Sequence, residues 1–273
     1  MALIQMTVPS KALRRETEVS VLLPDIRERK PEKEIYEFEG KLPVLYLFHG
    51  AGGSCRDWIR YTGVERLANR YGTAVVMPSA GLSFYTDMQN GEKYFSYIAR
   101  ELPAYMRRIF PFSDRREDNC TAGLSMGGYG AMKLALTYPE RYRAAASRSG
   151  VLDAAGLMED TALTAQIELD RVMEWCYGSL DGAVRPENSL ELLMERACAA
   201  AHAPVLFQCV GTEDFLYKVN QNFRQRAQAA GLSLTYREGP GAHDWDYWEA
   251  RLPEVFAWLY KESIPADTQE TAQ

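Results

Sequence analysis

Short apolar runs, several of them rich in β-branched residues, recur along the 273-residue chain and predict strands. Two of these runs, Val44–His49 and Val205–Val210, are apolar at almost every position, as expected for parallel strands that are buried on both faces. The predicted strands are Glu18–Leu23, Val44–His49, Thr73–Pro78, Asn119–Gly123, Ala144–Ser149, Val205–Val210 and Ser233–Arg237.

Longer segments with helical periodicity separate the strands. The predicted helices are Arg56–Arg70, Tyr94–Ile109, Met126–Thr137, Asn188–Ala200, Lys218–Ala230 and Trp245–Tyr260. Alternation of strands and helices is typical of the α/β class, in which helices flank a mostly parallel sheet. The chain length fits one such domain over 1–261, followed by a polar segment, 262–273, that we expect to be disordered.

The stretch between Val151 and Pro204 is longer than one connection between neighbouring strands requires. It has weak helical patterning, interrupted by a glycine-containing break near 178–182. We therefore expect a short helical insertion between these residues. The pattern leaves open whether this insertion covers the entrance to a site as a cap or has no role there.

Composition excludes several classes of protein. The chain is 47% hydrophobic and 25% charged, which is typical of globular domains, and its net charge of −6 does not favour binding to nucleic acid. Residues 1–10 lack the basic start and apolar core of a signal peptide, and no apolar run approaches the roughly 20 residues of a membrane helix. We expect neither a nucleic-acid nor a membrane partner. The oligomeric state is not determined, and a homo-oligomer stays open.

The cysteines give weaker information about the compartment. There are five, irregularly spaced and without a CxxC pair, so at least one is free within a monomer and neither a zinc nor a redox site is indicated. A reducing cytoplasm is the simplest expectation. No metal or cofactor is expected.

A glycine-flanked serine gives the first indication of chemistry. Gly123-Leu-Ser125-Met-Gly127 follows a predicted strand and leads directly into a predicted helix. In this setting GxSxG is typical of a nucleophile elbow, a turn too tight for side chains two residues on either side of the serine. The short pattern also occurs by chance, and the alternative is a glycine-rich turn with a helix-capping serine.

A serine nucleophile needs a base, and the chain offers three histidines. His202 lies between a predicted helix and a strand and fits a loop or cap position. His49 ends a strand before a glycine loop. His243 lies in the loop before the last predicted helix, which is where the order Ser…Asp/Glu…His places the base. We therefore select His243.

The acid that orients this histidine is expected after the strand Val205–Val210. The candidates there are the neighbours Glu213 and Asp214, which cannot both point the same way. One of them fits a helix cap instead. We select Asp214. Asp244 and Asp246 lie too close to His243 in sequence and fit the start of the last helix better.

A second glycine-rich loop, His49-Gly-Ala-Gly-Gly53, follows the strand Val44–His49. A loop in this position supplies one N–H group to a developing oxyanion, and the residue after the nucleophile supplies the other. We assign these donors to the backbone of Ala51 and Met126. The loop lacks the Lys-Ser/Thr of a phosphate-binding P-loop and the spacing of GxGxxG, so nucleotide binding is not indicated.

With these segments in order, the chain resembles the esterase D and S-formylglutathione hydrolase group of α/β-hydrolases. It is most similar to the tributyrin esterases and bacterial feruloyl or acetyl esterases. The matching segments are Leu47–Ser54 with Trp58, Ser83–Asp87, Glu101–Pro103, Gly123–Ala131, Gly211–Asp214 and Gly241–Trp245. The resemblance implies an α/β-hydrolase fold with its acid at Asp214 and its base at His243.

The resemblance implies a serine carboxylesterase that acts on a small-molecule ester, of acetyl, butyryl or feruloyl type, through an acyl-enzyme on Ser125. The chain departs from S-formylglutathione hydrolases in lacking their cysteine-containing oxyanion loop and longer thiol-substrate segments, which argues against a glutathione thioester. Acyl transfer and S-formylglutathione thioesterase activity stay as the alternatives within the family, and a non-catalytic binding role on the same fold is a more remote one. We expect five aromatic residues to line the substrate pocket: Trp58, Phe84, Tyr85, Trp175 and Tyr177.

Overall fold

A computed structural model describes residues 1–25, 40–178 and 184–260. In this part of the chain, eight strands form one sheet in the order β1-β2-β4-β3-β5-β6-β7-β8. They are β1 Ala2–Ser10, β2 Arg15–Leu23, β3 Val44–Phe48, β4 Ala74–Pro78, β5 Asn119–Leu124, β6 Ala144–Arg148, β7 Val205–Gly211 and β8 Leu234–Gly239. Strands β3 to β8 run parallel, whereas β2 is antiparallel to both β1 and β4. The predicted mostly parallel sheet is confirmed.

Helices cover both faces of this sheet. Their bounds are α1 Asp57–Tyr61, α2 Val64–Tyr71, α3 Tyr94–Ser96, α4 Leu102–Ile109, α5 Met126–Thr137, α6 Ala154–Glu159, α7 Thr161–Gln166, α8 Asp170–Tyr177, α9 Leu190–Cys198, α10 Tyr217–Ala229 and α11 Trp245–Leu259. A π-helical segment, Tyr97–Glu101, joins α3 to α4, so the helix predicted over Tyr94–Ile109 is continuous but irregular.

Two elements differ from the sequence-based expectation. Strand β1 was not predicted; it is a largely exposed edge strand that pairs along its whole length with β2, a tertiary contact that local patterning does not reveal. The single helix predicted over Arg56–Arg70 is two helices. The chain is extended at Thr62, and the following Gly63 N–H donates to the carboxylate of Glu249, at 3.1 and 3.2 Å from its two oxygens. This contact with α11 stabilises the break.

The central strands are buried on both faces because apolar layers lie on each side of the sheet. In β3, Tyr46 and Phe48 face the larger layer, which includes α5, α10 and most of the insertion helices. Leu45 and Leu47 face a smaller layer formed mainly by α1, α2 and α11. This explains why β3 is apolar at consecutive positions.

The insertion between Val151 and Pro204 contains helices α6 to α9 and a 3-10 turn, Pro186–Asn188. Its residues 179–183, like the predicted tail at 262–273, lie outside the described residues. Because parallel strands end at the same edge of a sheet, the loops that follow β3, β5, β7 and β8 meet there. The sequence motifs lie on these four loops.

Candidate active site

Ser125 lies in the turn between β5 and α5 and has an unusual backbone conformation. Its φ is 51° and its ψ is −123°, although it is not a glycine. Its N–H donates to the carbonyl oxygen of Arg148 on the neighbouring strand at 2.9 Å. Such strain persists only where the surroundings hold it, and it is concentrated at functional sites.

Close backbone packing explains the two glycines of the motif. A Cβ atom on Gly123 would lie 2.2 Å from the carbonyl oxygen of Gly127. One on Gly127 would lie 2.4 Å from the carbonyl oxygen of Phe48 at the end of β3. Both contacts are far inside van der Waals distance and involve backbone atoms that cannot rotate away. Only glycine fits at these two positions.

His243 meets Ser125 from the loop between β8 and α11. Its Nε2 lies 3.0 Å from Ser125 Oγ. The ring packs against Phe215, with centroids 4.4 Å apart, and against Trp248, with centroids 4.9 Å apart and planes nearly perpendicular. These contacts restrict the rotation of the imidazole.

Asp214 lies on the other side of the imidazole. Both of its carboxylate oxygens are 3.0 Å from His243 Nδ1, and its side chain is fully buried. Its Oδ1 also accepts a hydrogen bond from Leu216 N–H at 2.8 Å. Because an ionised carboxylate only accepts, Nδ1 carries the proton and Nε2 is left to accept from the serine hydroxyl. The three side chains form one hydrogen-bonded row.

Glu213, the alternative acid, points away from the histidine ring. Its Oε2 accepts from Gly241 N–H at 2.5 Å and its Oε1 from the Thr212 hydroxyl at 2.8 Å. These hydrogen bonds, led by the one from Gly241, lower the pKa of the Glu213 carboxyl. Glu213 N–H in turn donates to Gly241 O at 3.1 Å. The residue therefore fixes the loop that carries His243, a role that the sequence did not suggest.

The other two histidines lie outside the row. His202 is exposed, before β7. His49 is buried, accepts from Ala80 N–H at Nε2 (2.9 Å) and donates from Nδ1 to Gly50 O (2.7 Å). Since an amide can only donate to Nε2, this ring is neutral with its proton on Nδ1. Burial lowers the pKa of His49 and favours this neutral form.

The glycine loop after β3 forms a turn beside Ser125. Gly53 N–H donates to Gly50 O at 3.2 Å, and Gly52 has a φ of 73° that favours glycine. Ala51 is exposed here, and Met126 is the first residue of α5. Within the described residues, neither the Ala51 nor the Met126 N–H donates to a backbone carbonyl. No backbone acceptor in the described part of the chain therefore competes for these two amides.

The row opens into a cleft of about 550 Å³. Its lining residues are Gly50, Ala51, Gly52, Gly53, Asp57, Arg60, Tyr61, Leu124, Ser125, Ile167, Leu169, Phe215, His243, Trp245 and Trp248. Tyr61 and Trp245 form an aromatic wall, with ring centroids 4.8 Å apart. Ile167 and Leu169 come from the insertion, which therefore contributes one side of the cleft.

The five aromatic residues predicted to line the pocket do not do so. Trp58, Phe84, Tyr85 and Tyr177 are buried in the two core layers, and Trp175 is 45% exposed outside the cleft. Two of them support the glycine loop from behind. Trp58 Nε1 donates to Phe48 O at 3.1 Å, and the Tyr85 hydroxyl donates to His49 O at 3.0 Å. The pocket assignment is corrected accordingly.

The aromatic residues that do line the cleft were missed. Phe215 directly follows Asp214, and Trp245 and Trp248 closely follow His243 in the chain. Proximity to the motifs was the signal that could have identified them. Across the residues that the structure describes, no cluster of three potential metal ligands occurs, and no helix has the length and apolar character needed to cross a bilayer.

Comparisons with known proteins identify the family of this chain. Residues 10–259 match the family described as "Putative esterase". An acetyl esterase from Caldicellulosiruptor saccharolyticus is 30% identical over 271 residues, covering 96% of this chain and 100% of the relative.

Two solved structures from Staphylococcus aureus are also similar. The substrate-bound fluorophosphonate-binding serine hydrolase F has a TM-score of 0.80 and 31% identity, over 95% of this chain and 98% of its own. An S-formylglutathione hydrolase has a TM-score of 0.77 and 30% identity over the same shares. The chain therefore belongs to this esterase family and is a serine hydrolase of the α/β-hydrolase fold.

Proposed function

We propose that the protein hydrolyses short-chain or aryl carboxylic esters, of acetyl, butyryl or feruloyl type, through an acyl-enzyme on Ser125. The observation that carries this proposal is the unbroken row from Ser125 Oγ through the His243 imidazole to the Asp214 carboxylate. Similarity to an acetyl esterase over nearly the whole chain supports the same reaction.

In the proposed first half-reaction, His243 Nε2 accepts the hydroxyl proton as Ser125 Oγ attacks the ester carbonyl. The Ala51 and Met126 N–H groups bind the oxyanion that forms, and the positive end of the α5 dipole lies beneath it. The oxyanion collapses, the carbon–oxygen bond to the alcohol breaks, and His243 returns its proton to the leaving oxygen. The acyl group is then bonded to Ser125.

In the second half-reaction, His243 accepts a proton from water as the water oxygen attacks the acyl carbonyl. The same two amides bind the second oxyanion, and the proton passes from His243 to Ser125 as the acid leaves. Asp214 keeps the proton of the neutral ring on Nδ1 and stabilises the imidazolium in both steps. These steps need no group beyond the named residues and water.

The cleft walls support an ester with a flat or apolar side. Tyr61, Trp245 and Phe215 offer aromatic surface, whereas Ile167 and Leu169 offer aliphatic surface. Stacking on such a wall contributes on the order of 1 kcal/mol to binding. Similarity to an S-formylglutathione hydrolase over 95% of the chain favours a thioester as the second candidate substrate. We expect action in the cytoplasm, on small molecules.

Replacing the proposed nucleophile tests the reaction directly. Ser125→Ala is expected to lower kcat for 4-nitrophenyl acetate and butyrate by several orders of magnitude, because no oxygen remains to attack. Ser233→Ala, at an exposed serine, is the matched control and should keep wild-type turnover. Near-normal turnover by purified, folded Ser125→Ala would contradict the proposal.

Substitution of the neighbouring acids separates their roles. Asp214→Asn is expected to lower kcat by about 10³- to 10⁴-fold, because an amide no longer holds the imidazole in the required tautomer. Glu213→Gln should lose less than about tenfold, since its carbonyl oxygen still accepts from Gly241 N–H. Steady-state kinetics on one ester distinguish the two. The opposite order of effects would reassign the acid.

The corrected pocket predicts different effects at two exposed aromatic residues. Tyr61→Ala is expected to raise KM for methyl ferulate by about five- to tenfold, with a smaller effect on ethyl acetate, because a stacking surface is lost. Trp175→Ala, outside the cleft, should change neither KM. An increase in KM confined to Trp175→Ala would indicate that Trp175 lines the substrate pocket, as the sequence predicts.

A further inference from the structure

A fully buried arginine lies behind the cleft on β6. Arg148 is 0% exposed, and its carbonyl oxygen accepts the Ser125 N–H hydrogen bond at 2.9 Å. Its guanidinium carbon lies 4.4 Å from the centre of the Trp58 ring. One residue thus contacts the turn that carries the nucleophile and an aromatic side chain just beyond the glycine loop.

The charge of this arginine has no countercharge in contact. Within the described residues, no atom accepts a hydrogen bond from its Nε, Nη1 or Nη2. Burial lowers the pKa of Arg148 to about 10, which leaves it protonated at neutral pH, and the negative charge of Glu249 opposes this shift from a distance. The Glu249 carboxylate accepts hydrogen bonds from Gly63 N–H and, in the part of the chain that the structure describes, accepts none from Arg148.

Hydrogen bonding and charge compensation are separate requirements for the Arg148 guanidinium: an uncharged acceptor would satisfy its N–H groups, but its positive charge would stay buried. Burial of an unpaired charge opposes folding, so a residue of this kind lowers stability unless something else retains it. Met and Leu have side chains of comparable size, and either would fill such a site without burying a charge. The arginine is therefore a candidate for a functional role that conflicts with stability.

Arg148 is linked to both proposed oxyanion donors. Through its carbonyl oxygen it fixes Ser125, directly before the Met126 N–H. Through its guanidinium it packs on Trp58, whose Nε1 donates to Phe48 O at the start of the glycine loop that carries Ala51. Negative charge develops between these two amides during the reaction.

We propose that Arg148 is a positioning residue whose buried charge, which no carboxylate among the described residues contacts, stabilises the oxyanion formed at Ser125, and that its guanidinium holds Trp58 under the glycine loop. This inference rests on the proposed esterase reaction. It assigns Arg148 no contact with substrate. The proposal predicts how replacement of Arg148 changes both kcat and stability. Replacing an arginine with a purely structural role would lower the stability, whereas removing a buried charge without a partner would raise it.

The test compares Arg148→Met with the wild-type protein. We expect kcat for 4-nitrophenyl acetate to fall about tenfold, less than for loss of a direct oxyanion donor, while KM changes by less than about twofold. We expect the urea midpoint of unfolding to rise, because an unpaired charge is replaced by an apolar side chain of similar size. Arg148→Lys, which retains a cation, should recover part of the lost kcat.

Arg143, immediately before β6, provides a matched control at the opposite end of the same strand. Its Nη2 donates to Leu259 O at 2.6 Å and its Nε to Glu117 O at 3.0 Å. Arg143→Met removes satisfied hydrogen bonds far from the cleft. We expect a lower urea midpoint and an unchanged kcat, the reverse of the Arg148 result.

Three outcomes would overturn the proposal. These are an unchanged kcat in Arg148→Met, a lower urea midpoint or failure to fold in that variant, and a kcat that Arg148→Lys does not raise at all. Failure of the esterase reaction itself is detected separately, because Ser125→Ala would then retain turnover whatever the Arg148 variants do.

Discussion

Backbone contacts at the end of β5 determine where the reacting groups of the site lie. A Cβ atom on Gly123 would collide with the carbonyl oxygen of Gly127, and one on Gly127 would collide with the carbonyl oxygen of Phe48. The turn is therefore pressed against β3, and the serine is held in the left-handed region with its N–H bonded to β6. Strands β3, β5 and β6 are hydrogen-bonded neighbours in the sheet. The pairing of β3, β5 and β6 therefore sets the position of Ser125 and places the glycine loop after β3 beside it.

The same edge of the sheet brings together residues that are distant in the chain. Ser125 and His243 are separated by 118 positions, yet Oγ and Nε2 are 3.0 Å apart because the loops after β5 and β8 end at one edge. Each partner is then oriented by its own surroundings. Phe215 and Trp248 restrict the imidazole ring, and Glu213 fixes the loop beneath it. In the role that we propose for it, Arg148 supports the side of the oxyanion, and its buried charge favours the reaction at the expense of stability.

Much of this arrangement could be predicted from the sequence, because tight turns and parallel strands restrict residue types locally. The motif around Ser125 and the loop with His243 carry their own signals, and the structure brings their side chains together. The direction of neighbouring side chains is not such a signal, so Asp214 is preferred to Glu213 from the sequence mainly because the family resemblance implies it. The turn after β7 places the Asp214 carboxylate against His243. Burial of aromatic residues depends on contacts between distant elements. Trp58 was therefore placed in the pocket, although it packs behind it.

The proposed acyl-enzyme is the claim on which the mechanism depends, and trapping it tests the claim most directly. The protein would be mixed with excess 4-nitrophenyl butyrate, quenched with acid during turnover, digested and examined by tandem mass spectrometry. We expect a butyryl group on the peptide containing Ser125, located at the serine hydroxyl. Turnover with an unmodified Ser125 peptide, together with a butyryl group on another side chain, would contradict the account.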